Sequence, residues 1–218
     1  MPVIRDINDR SFRCCVWQVT ETMEQLLATL PDEGRELNEE AQQRFSAPKR
    51  RLEFIAVRVL LHQMLPGAVI AYHDNGKPYL EHSDRRISIS HTDGYVAVML
   101  SGQGEVGVDI EQYGERVCRV ASRFVNEREP VSGVWEQLLL WSAKETVYKM
   151  MNCREVDFRV HLISSDWQPK PITGPECKGF MRMQTFHPAH QKTYQVYFET
   201  TERFVLTYSF SSDSVQGL

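Results

Sequence analysis

Two acidic residues two positions apart, Asp109 and Glu111, close the short apolar run "EVGVDIE". In a strand, side chains at i and i+2 leave the same face, so these two carboxylates project together while Val108 and Ile110 project the other way. Adjacent carboxylates repel, and the pair is stable either as a solvated strand end or with a cation between the two groups. All-oxygen ligands suit Mg²⁺, which commonly takes one or two carboxylates together with substrate phosphates. Further along, "WSAKETVYK" spaces Trp141, Glu145 and Lys149 four apart, on one helical face, with Lys144 and Tyr148 beside them. Glu145 ahead of Lys149 is also the favourable order for a plain surface ion pair worth about 0.2 to 0.5 kcal/mol. The apolar "VWEQLLLW" just before it buries much of this helix, which argues against its acids being casual decoration.

Other polar groups stand at element ends. His91 follows the alternating "ISIS" and precedes a turn, where a side chain either reaches out of a sheet toward a ligand or serves the structure. In "DNGKP", Asn75-Gly76 supplies positive φ and Pro78 stiffens the exit, leaving Lys77 at the tip as a solvated lysine or a phosphate contact. His187 and His190 in "HPAH" have Pro188 between them and no third ligand nearby, so they are not taken as a metal site.

The elements that must hold these groups follow from pattern. "FRCCVWQV" reads as a strand and "TMEQLLATL" as a helix that Pro31 helps to stop. "LEFIAVRVLLHQML", from Leu52 to Leu65, reads as a helix closed by Pro66 and Gly67. "AVIAYH", "YLEH", "ISISH" and "YVAVML" follow as short antiparallel strands joined by turn chemistry. After the break "SGQG" at 101–104, the order loosely repeats: the strand "EVGVDIE", a polar helix over 115–128, a strong helix from Ser132 to Met151, and strands at "VDFRVHL", "KGFMRMQTF", "TYQVYFE" and "FVLTYSF". The expectation is an α+β fold of two pseudo-symmetric lobes, 1–103 and 104–218, each with helices packed on a small antiparallel sheet.

Composition narrows the class. With 218 residues, 42% hydrophobic and 25% charged, the chain can bury a substantial core. A net charge of −4 argues against a generally basic nucleic-acid binder. Five cysteines without a CxxC pair read as a reducing compartment. The start "MPVIRDINDRSFRC" has no apolar signal core, and no stretch approaches the roughly 20 apolar residues of a membrane span. A cytoplasmic protein is expected.

Taken together and in order, "KRRLEFIAVRVLL" at 49–61, "GKP" at 76–78, "ISISHT" at 87–92, "GVDIE" at 107–111 and "WSAKETVYK" at 141–149 resemble the 4′-phosphopantetheinyl transferases, specifically their longer two-lobed single-chain type. The resemblance covers the middle half of the chain, and its last two motifs together are the specific part. It implies transfer of the phosphopantetheine arm of coenzyme A to a serine of an acyl or peptidyl carrier protein, with release of 3′,5′-ADP. It further implies that Asp109, Glu111 and Glu145 hold Mg²⁺, or Mn²⁺ in its place, together with the coenzyme A pyrophosphate. Glu145 would help to deprotonate the serine, and Lys149 would face the pyrophosphate. Ser90 and His91 would lie against the phosphates, and Gly76, Lys77 and Pro78 would border the nucleotide. One of Lys49, Arg50 and Arg51 would meet the 3′-phosphate. Where many relatives have a glycine-rich turn after the last motif, this chain reads "MMNCREVDF", and no loop shape is carried over.

Carrier proteins are usually acidic beside the modified serine. Arg116, Arg119 and Arg123, at i, i+3 and i+7, form one face of an α-helix beside Val117, Val120 and Phe124, either as a docking surface or as a solvated basic face. The expected protein is a monomer that binds neither nucleic acid nor membrane. The other readings are a non-catalytic relative that binds carrier protein or coenzyme A, and a Mg²⁺-dependent enzyme acting on another nucleotide.

Overall fold

The computed structural model describes residues 3–30 and 34–211; Pro31 lies outside them. The chain runs β1 (Val3–Asn8), β2 (Phe12–Gln18), α1 (Met23–Leu27), α2 (Gly34–Arg44), α3 (Pro48–Met64), β3 (Ile70–Tyr72), β4 (Pro78–Leu80), β5 (Arg86–Thr92), β6 (Tyr95–Ser101) and β7 (Val106–Gln112). A 3₁₀ helix (Glu115–Arg123) follows, then α4 (Gly133–Met150), α5 (Phe158–His161), β8 (Leu162–Gln168), β9 (Lys178–Thr185), β10 (Thr193–Thr200) and β11 (Phe204–Phe210). The expected α+β mixture of helices and antiparallel sheets is what forms. No helix among the described residues is long and apolar enough to cross a membrane.

Strand alternation builds the layers. One sheet has the order β1-β2-β6-β5 and a second the order β7-β11-β10-β9-β8. On β2 and β6, Cys15, Trp17, Val96, Val98 and Leu100 face the cluster that contains α3. The alternate residues Phe12, Cys14, Val16, Tyr95, Ala97 and Met99 meet Val108 and Ile110 of β7 and Phe204 and Leu206 of β11. Both faces of β6 are therefore covered, which explains why "YVAVMLS" is buried throughout. Helix α3 lies between the first sheet and α1 and α2, and α4 lies on β7 and β11 with the 3₁₀ helix beside it, so each is buried over a run too continuous for a surface helix.

The two sheets also meet edge to edge, by side chains rather than by a strand ladder. Ser88 Oγ accepts from Val108 N at 3.1 Å, Ser90 Oγ from Ile110 N at 3.3 Å, and Thr92 Oγ1 from Gln112 N at 3.3 Å. Hydroxyls at every second residue of β5 thus satisfy the alternate N–H groups of β7, which would otherwise be an open edge.

Several elements differ from their sequence-based expectation. The stretch "VDFRVHL" is not a strand. The Asp157 carboxylate accepts from the backbone N–H of Arg159 and Val160, capping the single turn α5 before β8 begins at Leu162. The polar helix over 115–128 is a shorter 3₁₀ helix, with three residues per turn. Arg116 and Arg119 therefore share a face, and Arg123 is turned about a third of a circle away from them. The single α-helical stripe of three arginines is not formed. Helix α3 starts earlier than expected, with Pro48 in its first turn, where the missing N–H costs nothing.

Candidate functional site

Strand β7 lies directly on α4, and glycine is what allows it. A Cβ on Gly107 would meet the carbonyl oxygen of Thr146 at 2.2 Å and Cγ of Met150 at 2.8 Å. With Val106, Val108 and Ile110 committed to the intersheet core, Gly107, Asp109 and Glu111 face the helix. There they meet the 141/145/149 face. The indole N–H of Trp141 donates to Glu111 Oε1 at 2.8 Å. Lys149 Nζ donates to Asp109 Oδ1 at 2.7 Å and to the Val108 carbonyl at 2.9 Å.

Asp109 is the centre of the arrangement. It is 4% exposed, and its Oδ1 also accepts from Ser90 Oγ at 2.8 Å, whereas its buried Oδ2 has no partner among the described residues. Burial first, and the Asp109 charge second, push the Glu111 carboxyl up from 4.5 to about 7. The same two causes, in the same order, push Glu145 up to about 7. The three carboxyls repel one another in a poorly solvated corner, as their separation in sequence did not reveal.

Among the described residues, no three His, Cys, Asp or Glu side chains are gathered into a ready-made metal cage. The donor set nevertheless fits a hard cation that takes part of its shell from a substrate. The orphaned Asp109 oxygen and two carboxyls held off their ionised form all gain from a positive charge. A stability measurement follows from this repulsion. A carboxyl raised in the fold contributes stability that is fully present below about pH 4.5 and is lost as pH rises through about 7. Glu111→Gln keeps the oxygen that accepts from Trp141 and removes the charge. In metal-free buffer its melting temperature should exceed that of the wild type by several degrees at pH 8 and by little at pH 5. Equal differences at both pH values would rule out the repulsion.

Beside the acids opens a cleft of about 800 Å³, walled by α3, the β3–β4 hairpin, β5, the end of α4 and the loop after it. Ser90, His91, Gly76, Lys77, Pro78 and Lys149 all line it. Ser90 spends its hydroxyl on Asp109 and β7. Gly76 holds φ at 82°, with the Asn75 side chain accepting from Lys77 N at 3.0 Å, which fixes the hairpin tip. Lys77 Nζ lies 2.7 Å from Glu105, tying this tip to the residue just before β7. Of the three consecutive basic residues, Arg50 lines the cleft. Lys49 pairs with Asp93 at 2.9 Å, and the Arg51 guanidinium donates to the Ser46 carbonyl at 2.8 Å.

Arg58 was missed in the sequence. It is 9% exposed and stacks its guanidinium over the Phe54 ring, 3.3 Å from the centroid, where burial lowers its proton affinity. It also lines the cleft, as does Tyr72. A lone cation inside the apolar run "FIAVRVLL" was the available signal, because charges are rarely buried without a task.

Residues 105–209 match the 4′-phosphopantetheinyl transferase superfamily. No curated protein matches the chain. The superfamily match supports phosphopantetheinyl transferase activity, and it contains Asp109, Glu111, Glu145 and Lys149 but none of the cleft residues of α3, the β3–β4 hairpin or β5.

Proposed function

We propose that the protein transfers the 4′-phosphopantetheine arm of coenzyme A to a serine of an acyl or peptidyl carrier protein, in a Mg²⁺-dependent reaction that releases 3′,5′-ADP. The observation that carries this reading is the junction of β7 and α4, which sets Asp109, Glu111, Glu145 and Lys149 beside a cleft lined by Arg50, Arg58, Lys77 and His91. Acids for a cation and cations for phosphates are what a diphosphate donor requires. The two sheets, which meet where β5 lies beside β7, support division into lobes 1–103 and 104–218, with the site where they meet.

Asp109, Glu111 and Glu145 would hold Mg²⁺ or Mn²⁺, which supplies positive charge for the diphosphate oxygens when bound. Lys149 extends between Asp109 and the cleft and would place its ammonium against the diphosphate. Glu145 is the carboxylate that would take the serine proton. His91, Arg50 and Arg58 would receive phosphates, while Gly76, Lys77 and Pro78 border the nucleotide. Arg116 and Arg119, exposed on one face of the 3₁₀ helix, would meet an acidic carrier, with Arg123 flanking them. The free thiols of all five cysteines suit the cytoplasm, where such a monomer would act.

Intact-mass spectrometry of an unmodified carrier protein incubated with coenzyme A, Mg²⁺ and the enzyme tests the reading. The carrier should gain one phosphopantetheine, and Asp109→Ala or omission of the metal should abolish the gain. Measurable coenzyme A binding with no gain on several carriers would replace transfer with binding alone. A protein that ignores coenzyme A would be a different nucleotide enzyme.

A further inference from the structure

Glu53 is a carboxylate on the wall of a cleft that otherwise presents mainly cations to a ligand, and none of the roles above requires it. Its side chain is 12% exposed and stands on α3 between two cleft groups. Arg50 donates from NH1 to Glu53 Oε2 at 3.3 Å, and the same NH1 lies 3.3 Å from His91 Nε2. His91 Nδ1 lies 3.4 Å from that same Glu53 oxygen. A guanidinium only donates, so in the neutral ring the Nε2 beside Arg50 presents its lone pair. The ring proton then sits on Nδ1, the nitrogen 3.4 Å from Glu53.

A carboxylate placed here for its charge alone would repel an anionic ligand. We propose that Glu53 is a positioning residue: it holds the His91 imidazole as the Nδ1–H tautomer, with Nε2 aimed at Arg50 and the cleft, and it holds Arg50 in front of that nitrogen. The charged groups facing His91 are Glu53 and Arg50 from α3, Lys149 from α4 and Asp109 from β7. Burial first, then the two cations, keep the imidazole below its usual proton affinity, and Glu53 is the strongest influence in the other direction. When a phosphate engages the Arg50 guanidinium, Nε2 is released. It can then take a proton from solvent and donate it as a hydrogen bond to the phosphate, while Nδ1–H stays on Glu53. This last step rests on the proposed coenzyme A donor; the tautomer does not.

Nitrogen-15 NMR of histidine-labelled protein, with His91→Phe to assign the resonance, reads the tautomer and the titration midpoint directly. Wild-type His91 should be the Nδ1–H tautomer when neutral. Glu53→Gln retains an acceptor oxygen, so it should keep that tautomer with a lower midpoint. Glu53→Ala should lose the tautomer preference and weaken coenzyme A binding about tenfold, with kcat at saturating donor nearly unchanged. If the tautomer in Glu53→Ala is that of the wild type, or if both variants bind coenzyme A more tightly, the positioning role is refuted. A wild type that binds no coenzyme A would overturn the donor assignment instead, and the tautomer would still decide the role of Glu53.

Discussion

Replacing Lys144 by methionine should cost about 3 to 5 kcal/mol in urea unfolding, a large share of the 5 to 15 kcal/mol typical of a folded protein. Both Lys144 and Glu129 are fully buried, and their ion pair is 2.6 Å long. The ammonium also donates to the carbonyls of Phe124 at 2.6 Å and Phe158 at 3.0 Å. Glu129 in turn accepts from Ser164 N at 2.7 Å and Asn126 N at 2.9 Å. One cation thus joins α4, the end of the 3₁₀ helix, α5 and the start of β8. Methionine fills similar volume but leaves the Glu129 charge without its counter-ion. The Lys144→Met/Glu129→Gln double variant should therefore recover much of the loss. A single variant within about 1 kcal/mol of wild type would show that the pair contributes nothing net.

Gly107→Ala should destabilise the fold by about 3 kcal/mol and depress transfer even though every proposed site side chain remains. The added methyl meets backbone, the Thr146 carbonyl at 2.2 Å, so no rotamer change relieves it. Either β7 lifts from α4, separating Asp109 and Glu111 from Glu145 and Lys149, or the helix shifts and strains its contacts with β11. Those contacts include a buried hydroxyl cluster in which Ser142 and Thr146 reach Thr207 Oγ1 at 2.8 and 2.7 Å. Gly102→Ala is the control, since nothing lies within 4 Å of its added methyl, and its melting temperature should match that of the wild type. If Gly107→Ala also melted and worked like the wild type, the close contact would not be what positions the acids.

Much of the local structure was legible because it follows from periods of two and of about four. The alternation in "EVGVDIE" placed Asp109 and Glu111 on one face with Val108 and Ile110 behind them, and the spacing of Trp141, Glu145 and Lys149 placed those three on one helical stripe. The structure keeps both arrangements. Local reading failed where a neighbouring contact outweighed local preference. Asp157 capped a turn in what reads as a strand, and the arginines after β7 wound into a 3₁₀ helix that divides their stripe.

What the sequence by itself determined was the identity of the chemistry-bearing groups and the face on which each stands, because those depend only on residue type and repeat. Only the tertiary structure decided which groups meet. Lys144 and Lys149 lie in one motif and look alike in sequence. One is sealed against Glu129, the other reaches Asp109, and the difference is the direction each leaves α4 relative to layers assembled from distant segments. Likewise Arg50, Lys49 and Arg51 are consecutive, yet only Arg50 lines the cleft, and Glu53 and Arg58 acquire meaning only when α3 packs beside β5 and the hairpin. Burial and distance set proton affinity and partnership, and neither is a property of one segment.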